Sequence, residues 1–165
     1  MTDTADSDQL EAVLGESLTG GLVCSRLTDV PGSSAYFDRG VVAYSNEAKQ
    51  EGLAVSREAL DAHGAVSEPV AAEMARGVRD TAGTTWGVST TGIAGPTGGT
   101  DEKPVGLVYV GVAYAGPWGS ESSFVTVDRH VFDGDRMAVK TASATVALEG
   151  LHDAIDGVAR DEETP

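Results

Sequence analysis

Strand-like and helix-like segments alternate along most of this chain, which then closes with two long strand-like runs and a helix. Residues 40–44 and 86–90 are short apolar runs rich in β-branched residues, and turn residues follow each of them. Residues 105–115 and 122–132, joined by a glycine turn, read as a hairpin. Helical spacing returns over 136–155. This order predicts an α/β fold: a three-layer α/β/α sandwich around a mixed, mostly parallel sheet.

Capping residues indicate where the helices begin. Ser45 and Ser56 each precede a short segment of helical spacing, and Ser67 is followed by Pro69 in the first turn of a longer one. Residues 10–14 are predicted as a strand that leads through a glycine-rich turn into another helix. Each helix start therefore has its own local signal.

The length of 165 residues fits one domain with its own core. We expect that domain to occupy residues 9–156, with a disordered acidic tail at 1–8 and a second acidic tail at 157–165. The first residues carry no basic region and no apolar run of the kind found in a signal peptide. We therefore expect a cytoplasmic protein.

The charge of the chain restricts its partners. It has 26 acidic and 11 basic side chains, giving a formal net charge of −15. Such a surface repels phosphate backbones and anionic membranes, so we expect no nucleic-acid partner and no membrane partner. An acidic coat over an ordered domain also suggests a salt-rich, halophilic cytoplasm as a hypothesis.

Metal and thiol chemistry have little support in the sequence. Cys24 is the only cysteine, and His63, His130 and His152 lie in different predicted elements without metal-ligand spacing. We expect no metal and no cofactor. Cys24 is interpreted as a small apolar residue.

One short segment combines three groups that could hydrolyse a carbonyl compound. Ser34, Tyr44 and Lys49 lie within sixteen positions in a chain that has only three lysines. A neutral lysine can accept a proton from a serine hydroxyl, and a tyrosine can relay it. Spacing alone leaves the alternative open that Lys49 is a surface charge and Tyr44 a packing residue.

Two glycine-rich loops, 16–21 and 92–99, each follow a predicted strand. Glycines let backbone amides approach a ligand, so the first loop could hold a phosphate with help from the Thr19 hydroxyl. Arg136, at the start of the last helix, could also meet an anion. The alternative is that these loops are tight strand ends that need positive φ angles.

Eight segments, taken in order, resemble one known family. They are 16–21 (ESLTGG), 32–37 (GSSAYF), 42–49 (VAYSNEAK), 63–70 (HGAVSEPV), 92–96 (GIAGP), 98–99 (GG), 103–106 (KPVG) and 134–136 (GDR). The resemblance is to the CinA C-terminal domain, the nicotinamide-nucleotide amidohydrolase family (PncC, or NMN deamidase). It extends from about residue 10 to the closing helix.

The resemblance implies metal-free hydrolysis of nicotinamide mononucleotide (NMN) to nicotinate mononucleotide and ammonia. It also implies that Ser34, rather than Ser33 or Ser17, is the nucleophile, assisted by Tyr44 and Lys49. Backbone amides of a glycine loop would hold the oxyanion. A small-molecule nucleotide substrate is thus the expected ligand.

The resemblance further suggests where the substrate binds, with the phosphate either at 19–21 or near Arg136. The expected substrate-binding residues are Ser17, Thr19, Gly20, Gly21, Gly92, Gly95 and Arg136. Few residues precede the first strand, whereas family members usually have a helix there, so we expect a partner subunit to cover that face in a homo-oligomer. Two other functions stay open: a catalytically inactive nucleotide- or partner-binding module of the same fold, and an amidase for another small amide.

Overall fold

The computed structural model describes residues 11–163, whose centre is a five-stranded sheet. The strands are β1 (Ala12–Glu16), β2 (Phe37–Val42), β3 (Trp86–Gly92), β4 (Leu107–Tyr114) and β5 (Phe124–Val131). Their order across the sheet is β2-β1-β3-β4-β5. β1 pairs in parallel with β2 and β3, whereas β4 is antiparallel to both of its neighbours, so four of the five strands point the same way. The predicted mixed, mostly parallel sheet is confirmed.

Within residues 11–163, five α-helices cover the two faces of this sheet. They are α1 (Leu22–Thr28), α2 (Asn46–Leu53), α3 (Arg57–His63), α4 (Glu68–Ala82) and α5 (Arg136–Glu163). Apolar residues of α1 and α5 form one buried cluster, and apolar residues of α2, α3 and α4 form another. In β1, Leu14 belongs to the first cluster and its neighbour Val13 to the second, as the alternation of side chains along a strand requires. The three-layer α/β/α architecture is therefore confirmed.

The predicted helix starts are correct where a serine caps them. The side chains of Ser45, Ser56 and Ser67 each accept a hydrogen bond from the backbone amide three residues further along. Each such cap is worth about 1 kcal/mol to its helix. Gly77, in the middle of α4, allows close packing, because a Cβ there would collide with the carbonyl oxygen of Leu53.

Several predicted boundaries need correction, and the first strand, expected at 10–14, is Ala12–Glu16. The strand expected at 40–44 is Phe37–Val42, three residues earlier at its start. The tail expected from residue 157 is wrong as far as residue 163, because α5 continues to Glu163. Ile155 and Val158 pack against the first cluster and favour continued helix past Gly157. The tail expected at 1–8 lies outside the described residues.

The two ends of the parallel strands lie at opposite edges of the sheet. The carboxyl ends of β1, β2 and β3 meet at one edge, since these strands are parallel, and the chain leaves them through Ser17, Ala43 and Ile93. The amino end of β2 lies at the opposite edge and is preceded by a 3-10 turn at Ser33–Ala35. Within residues 11–163, no helix combines the length and the apolar character needed to cross a membrane.

Candidate active site

A cavity of about 190 Å³ opens at the carboxyl edge of the parallel strands. Its walls come from the ends of β1, β2 and β3, from the segment before α4 and from the starts of α2 and α5. The residues that line it are Ser17, Leu18, Tyr44, Lys49, Ala65, Val66, Thr91, Gly92, Ala94 and Arg136. Five of the residues expected at the site, namely Ser17, Tyr44, Lys49, Gly92 and Arg136, therefore share one pocket.

Lys49 is the buried cation of this pocket. Only 2% of its surface is exposed, and its Nζ lies 3.1 Å from Ser17 Oγ, 3.0 Å from the carbonyl oxygen of Ala43 and 3.2 Å from that of Tyr44. In the described part of the chain, no carboxylate forms an ion pair with it. Burial lowers the pKa of the Lys49 amine, because desolvation disfavours its charged form. The amine can therefore be neutral at a lower pH than an ordinary lysine.

Ser17 is held in place by the backbone on both sides. Its amide donates to the carbonyl oxygen of Thr90 at 3.0 Å, and its carbonyl accepts from the amide of Gly20 at 3.1 Å. These bonds fix the serine where β1 ends and present its hydroxyl to Lys49. A buried serine in contact with an amine whose pKa is lowered is a candidate nucleophile.

Glu16 occupies the amide groups that were expected to hold a phosphate. Its carboxylate is 1% exposed and accepts from the amides of Val23 at 2.9 Å, Cys24 at 3.0 Å and Gly21 at 3.3 Å. An internal carboxylate therefore fills the anion-binding position at the start of α1. The expectation that Gly21 contributes to a phosphate site is wrong for this reason.

Thr19 and Gly20 also make internal contacts instead of facing a ligand. The Thr19 side chain is 1% exposed, and its hydroxyl lies 2.8 Å from that of Thr90. The Gly20 amide is already bonded to Ser17. Neither residue lines the cavity. Their expected role in phosphate binding is corrected accordingly.

Tyr44 and Arg136 form the mouth of the pocket. The Tyr44 side chain is 62% exposed, and its hydroxyl accepts from Arg136 Nη2 at 3.0 Å, while Arg136 Nη1 donates to the carbonyl oxygen of Gly95 at 2.8 Å. Gly95 does not line the cavity itself, but its carbonyl oxygen is bonded to Arg136, which does. Only the backbone carbonyl of Tyr44 contacts Lys49, so the expected relay through the phenol is not formed.

Ser34 does not meet Lys49 or Tyr44 in this structure. It lies in the exposed 3-10 turn that precedes β2, whereas Tyr44 and Lys49 follow the other end of that strand. Six strand residues, at about 3.3 Å each, carry the chain about 20 Å across the sheet. The prediction that these three side chains converge is therefore corrected: Ser17 takes the place beside Lys49.

Sequence reasoning assigned no role to several residues of the pocket. Thr91 donates through its hydroxyl to the carbonyl oxygen of Ala65 at 2.8 Å and so joins two walls of the cavity. Leu18 and Val66 line it as well. A usable signal for Leu18 and Val66 was present, because segments 16–21 and 63–70 both carry the resemblance.

Cys24 is a poor candidate for a nucleophile. Burial, with a further contribution from Glu16, raises the pKa of the Cys24 thiol, so the reactive thiolate is disfavoured.

Known proteins are similar to this chain in sequence. Residues 1–155 match the family model of the CinA C-terminal domain. A CinA-like protein of Anaeromyxobacter sp. (strain K) is 54% identical over 138 residues, covering 84% of this chain and 32% of that protein. A CinA-like protein of Chlorobaculum tepidum is 54% identical over 143 residues, covering 87% and 33%. The chain thus spans about a third of the length of these curated relatives.

Solved structures agree with that assignment. The competence damage-inducible protein A of Klebsiella pneumoniae is similar with a TM-score of 0.82 and 32% identity, covering 90% of this chain and 88% of that one. The competence/damage inducible protein CihA of Agrobacterium tumefaciens has a TM-score of 0.81 and 39% identity, with 88% and 85% covered. Both sequence and fold place this chain in the CinA C-terminal domain family.

Proposed function

We propose that this chain is an amidohydrolase that converts NMN to nicotinate mononucleotide and ammonia, with Ser17 as nucleophile and Lys49 as general base. The observation that carries the proposal is the 3.1 Å contact between Ser17 Oγ and the buried Lys49 Nζ. The resemblance to the nicotinamide-nucleotide amidohydrolase family supports the choice of substrate.

The first half of the reaction forms an acyl-enzyme. Neutral Lys49 takes the proton of the Ser17 hydroxyl as Oγ attacks the carboxamide carbon, and a C–O bond forms. The resulting ammonium then gives a proton to the amide nitrogen. The C–N bond breaks and ammonia leaves, so Lys49 returns to its neutral form.

The oxyanion formed in this step needs hydrogen-bond donors near Ser17. In the turn that follows Ser17, the amides of Gly20, Gly21 and Leu22 are already bonded within the protein. Those of Leu18 and Thr19 have no acceptor among the described residues, although both residues are buried. Of these two residues only Leu18 lines the cavity, so its amide is the candidate to stabilise the oxyanion, as backbone donors do in acyl transfer.

The second half of the reaction releases the acid. Lys49 accepts a proton from water as the water oxygen attacks the ester carbon, and then returns that proton to Ser17 Oγ as the ester bond breaks. The net reaction consumes one water and yields a carboxylic acid and ammonia, which exchange a proton in solution to give carboxylate and ammonium. Every proton transfer uses the Lys49 amine.

The size of the cavity fits one end of a nucleotide. At about 190 Å³ it is smaller than the roughly 300–1,000 Å³ of pockets that enclose a drug-sized ligand. The carboxamide and its ring can enter, while ribose and phosphate stay at the mouth near Tyr44 and Arg136. In this proposed pose the amide lies next to Ser17.

The alternative of an inactive binding module is less well supported by the same contact. Burying a lysine without a carboxylate partner costs free energy, and a module that only binds gains nothing from it. Perturbed ionisable groups in a pocket are typical of active sites. The buried amine therefore favours an enzyme.

Ammonia release from NMN tests the proposal. The parent protein and Ser17→Ala are each incubated with NMN in dilute buffer and in molar KCl, with chromatography to identify nicotinate mononucleotide. We expect both products from the parent and none above background from Ser17→Ala. A folded parent that releases no ammonia would contradict the function, and an active Ser17→Ala would contradict the mechanism.

A further inference from the structure

The three lysines of this strongly acidic chain lie in the pocket or beside segments that contribute residues to its walls. Lys49 is inside it, and Lys103 Nζ donates to the carbonyl oxygen of His63 at 2.6 Å, two residues before the wall residue Ala65. Lys140 lies beside the turn that follows Ser17, since a Cβ added to Gly20 would be 3.7 Å from its Nζ. The positions of Lys49 and Lys103 are explained by their contacts, whereas that of Lys140 is not.

Arg136 lines this pocket, and Lys140 is the second cation at the start of α5, beside the turn that follows Ser17. They are four residues apart at the start of α5, so they share one face of that helix. Arg136 donates only to a carbonyl and a hydroxyl, and neither residue forms an ion pair with a carboxylate anywhere in residues 11–163. Two cations without acidic partners, in a chain of net charge −15, favour an anionic ligand between them.

Acidic side chains of the protein itself already accept hydrogen bonds from backbone amides at the two neighbouring helix starts. Glu16 fills the start of α1, as described above. At the start of α5, Asp135 Oδ1 already accepts from the amide of Ala138 at 2.9 Å. Side-chain cations are thus the anion-binding groups that remain near the pocket mouth.

We propose that Lys140, together with Arg136, binds the phosphate of the nucleotide whose carboxamide reaches Ser17. This inference rests on the proposed function, because the amide position fixes which end of the substrate reaches the mouth. A phosphate monoester accepts charge-assisted hydrogen bonds from both cations. Lys140 would then select phosphorylated substrates over the corresponding nucleoside.

The test compares NMN with nicotinamide riboside, which lacks the phosphate. The measured quantity is the ratio of kcat/KM for NMN to kcat/KM for the riboside. We expect Lys140→Met to lower this ratio about tenfold, as the loss of one charge-assisted hydrogen bond predicts, and Lys140→Arg to restore most of it. Arg129→Met on the far edge strand β5 removes one positive charge elsewhere and should keep the parental ratio.

A binding experiment separates this inference from the proposed function. Calorimetric titration of NMN and the riboside into Ser17→Ala, with and without Lys140→Met, measures the phosphate preference even if no hydrolysis occurs. An NMN preference that disappears with Lys140→Met supports the inference. An unchanged ratio in the kinetic test, or the absence of any Lys140-dependent preference in the titration, overturns it, whereas failure of hydrolysis alone overturns only the proposed function.

Discussion

Ser17 and Ser34 lie at opposite edges of the same sheet. Ser17 is buried at the carboxyl edge, bonded through its backbone to Thr90 and Gly20 and through its side chain to Lys49. Ser34 is exposed at the amino edge, and its side chain has no hydrogen-bond partner among the described residues. The difference shows that closeness to Lys49 along the chain gives a serine neither burial nor contact with the lysine amine.

Exchanging each serine for alanine should give the largest contrast. We expect Ser17→Ala to lower kcat for NMN by about 10⁴ or more, because it removes the attacking oxygen. Ser34→Ala should keep the parental kcat, since its hydroxyl lies at the far edge. Steady-state ammonia release measures both, and a large loss in Ser34→Ala would reverse the comparison.

Lys49 should give the next largest effect, and it should depend on pH. Lys49 acts as a base only when neutral, so kcat/KM of the parent should rise as the pH increases through the Lys49 pKa, which burial sets below the usual lysine value. Lys49→Met should lose about 10²–10⁴ in kcat. Lys49→Arg should be equally inactive, because its guanidinium stays protonated.

A pH–rate profile with these two variants decides the role of the amine. An active Lys49→Arg, or a parental kcat/KM that does not change between about pH 6 and pH 10, would show that Lys49 is not the base.

The substitution Glu16→Gln tests whether the Glu16 carboxylate stabilises the turn that presents Ser17. Glu16→Gln removes the negative charge that accepts from the first amides of α1. We expect the free energy of unfolding to fall by about 1–3 kcal/mol and kcat to fall with it, since the turn presents Ser17. Urea unfolding measures the first effect, and Glu51→Gln, an exposed change on α2, should leave stability unchanged. Equal stabilities for the two variants would contradict this role.

The smallest expected effect concerns the mouth of the pocket. Tyr44→Phe removes the acceptor for Arg136 Nη2, a hydrogen bond worth about 0.5–1.5 kcal/mol. We expect KM for NMN to rise about two- to tenfold with little change in kcat. Tyr36→Phe, beside Ser34 at the amino edge, serves as the matched control and should behave as the parent. A large loss of kcat in Tyr44→Phe would instead show that the Tyr44 hydroxyl takes part in proton transfer.

Local signals made much of the fold predictable. Ser45, Ser56 and Ser67 identified three helix starts because a cap depends on only a few neighbouring residues. The order of strands and helices identified the three layers. The expected end of the last helix at about residue 155 was wrong because tertiary packing, which spacing does not report, extends α5 to Glu163.

The site was predictable only in part, for a geometric reason. Lys49 and Tyr44 follow the end of β2 and were placed correctly in one pocket, but β2 begins at Phe37 and carries the chain away from Ser34. The role of Glu16 as an internal cap depends on where its side chain points, and the sequence could not show that. An acidic residue directly before a glycine-rich turn and a helix is a signal that could have suggested it.

Trapping the acyl-enzyme tests the central claim most directly. The parent protein is mixed with NMN, quenched in acid within the first turnovers, digested and analysed by mass spectrometry, with Ser17→Ala as the control. The account predicts an adduct with the mass of the nicotinate mononucleotide acyl group on the peptide that contains Ser17 and none in the control. An adduct on Ser34, or an active parent that forms no adduct at all, would contradict it.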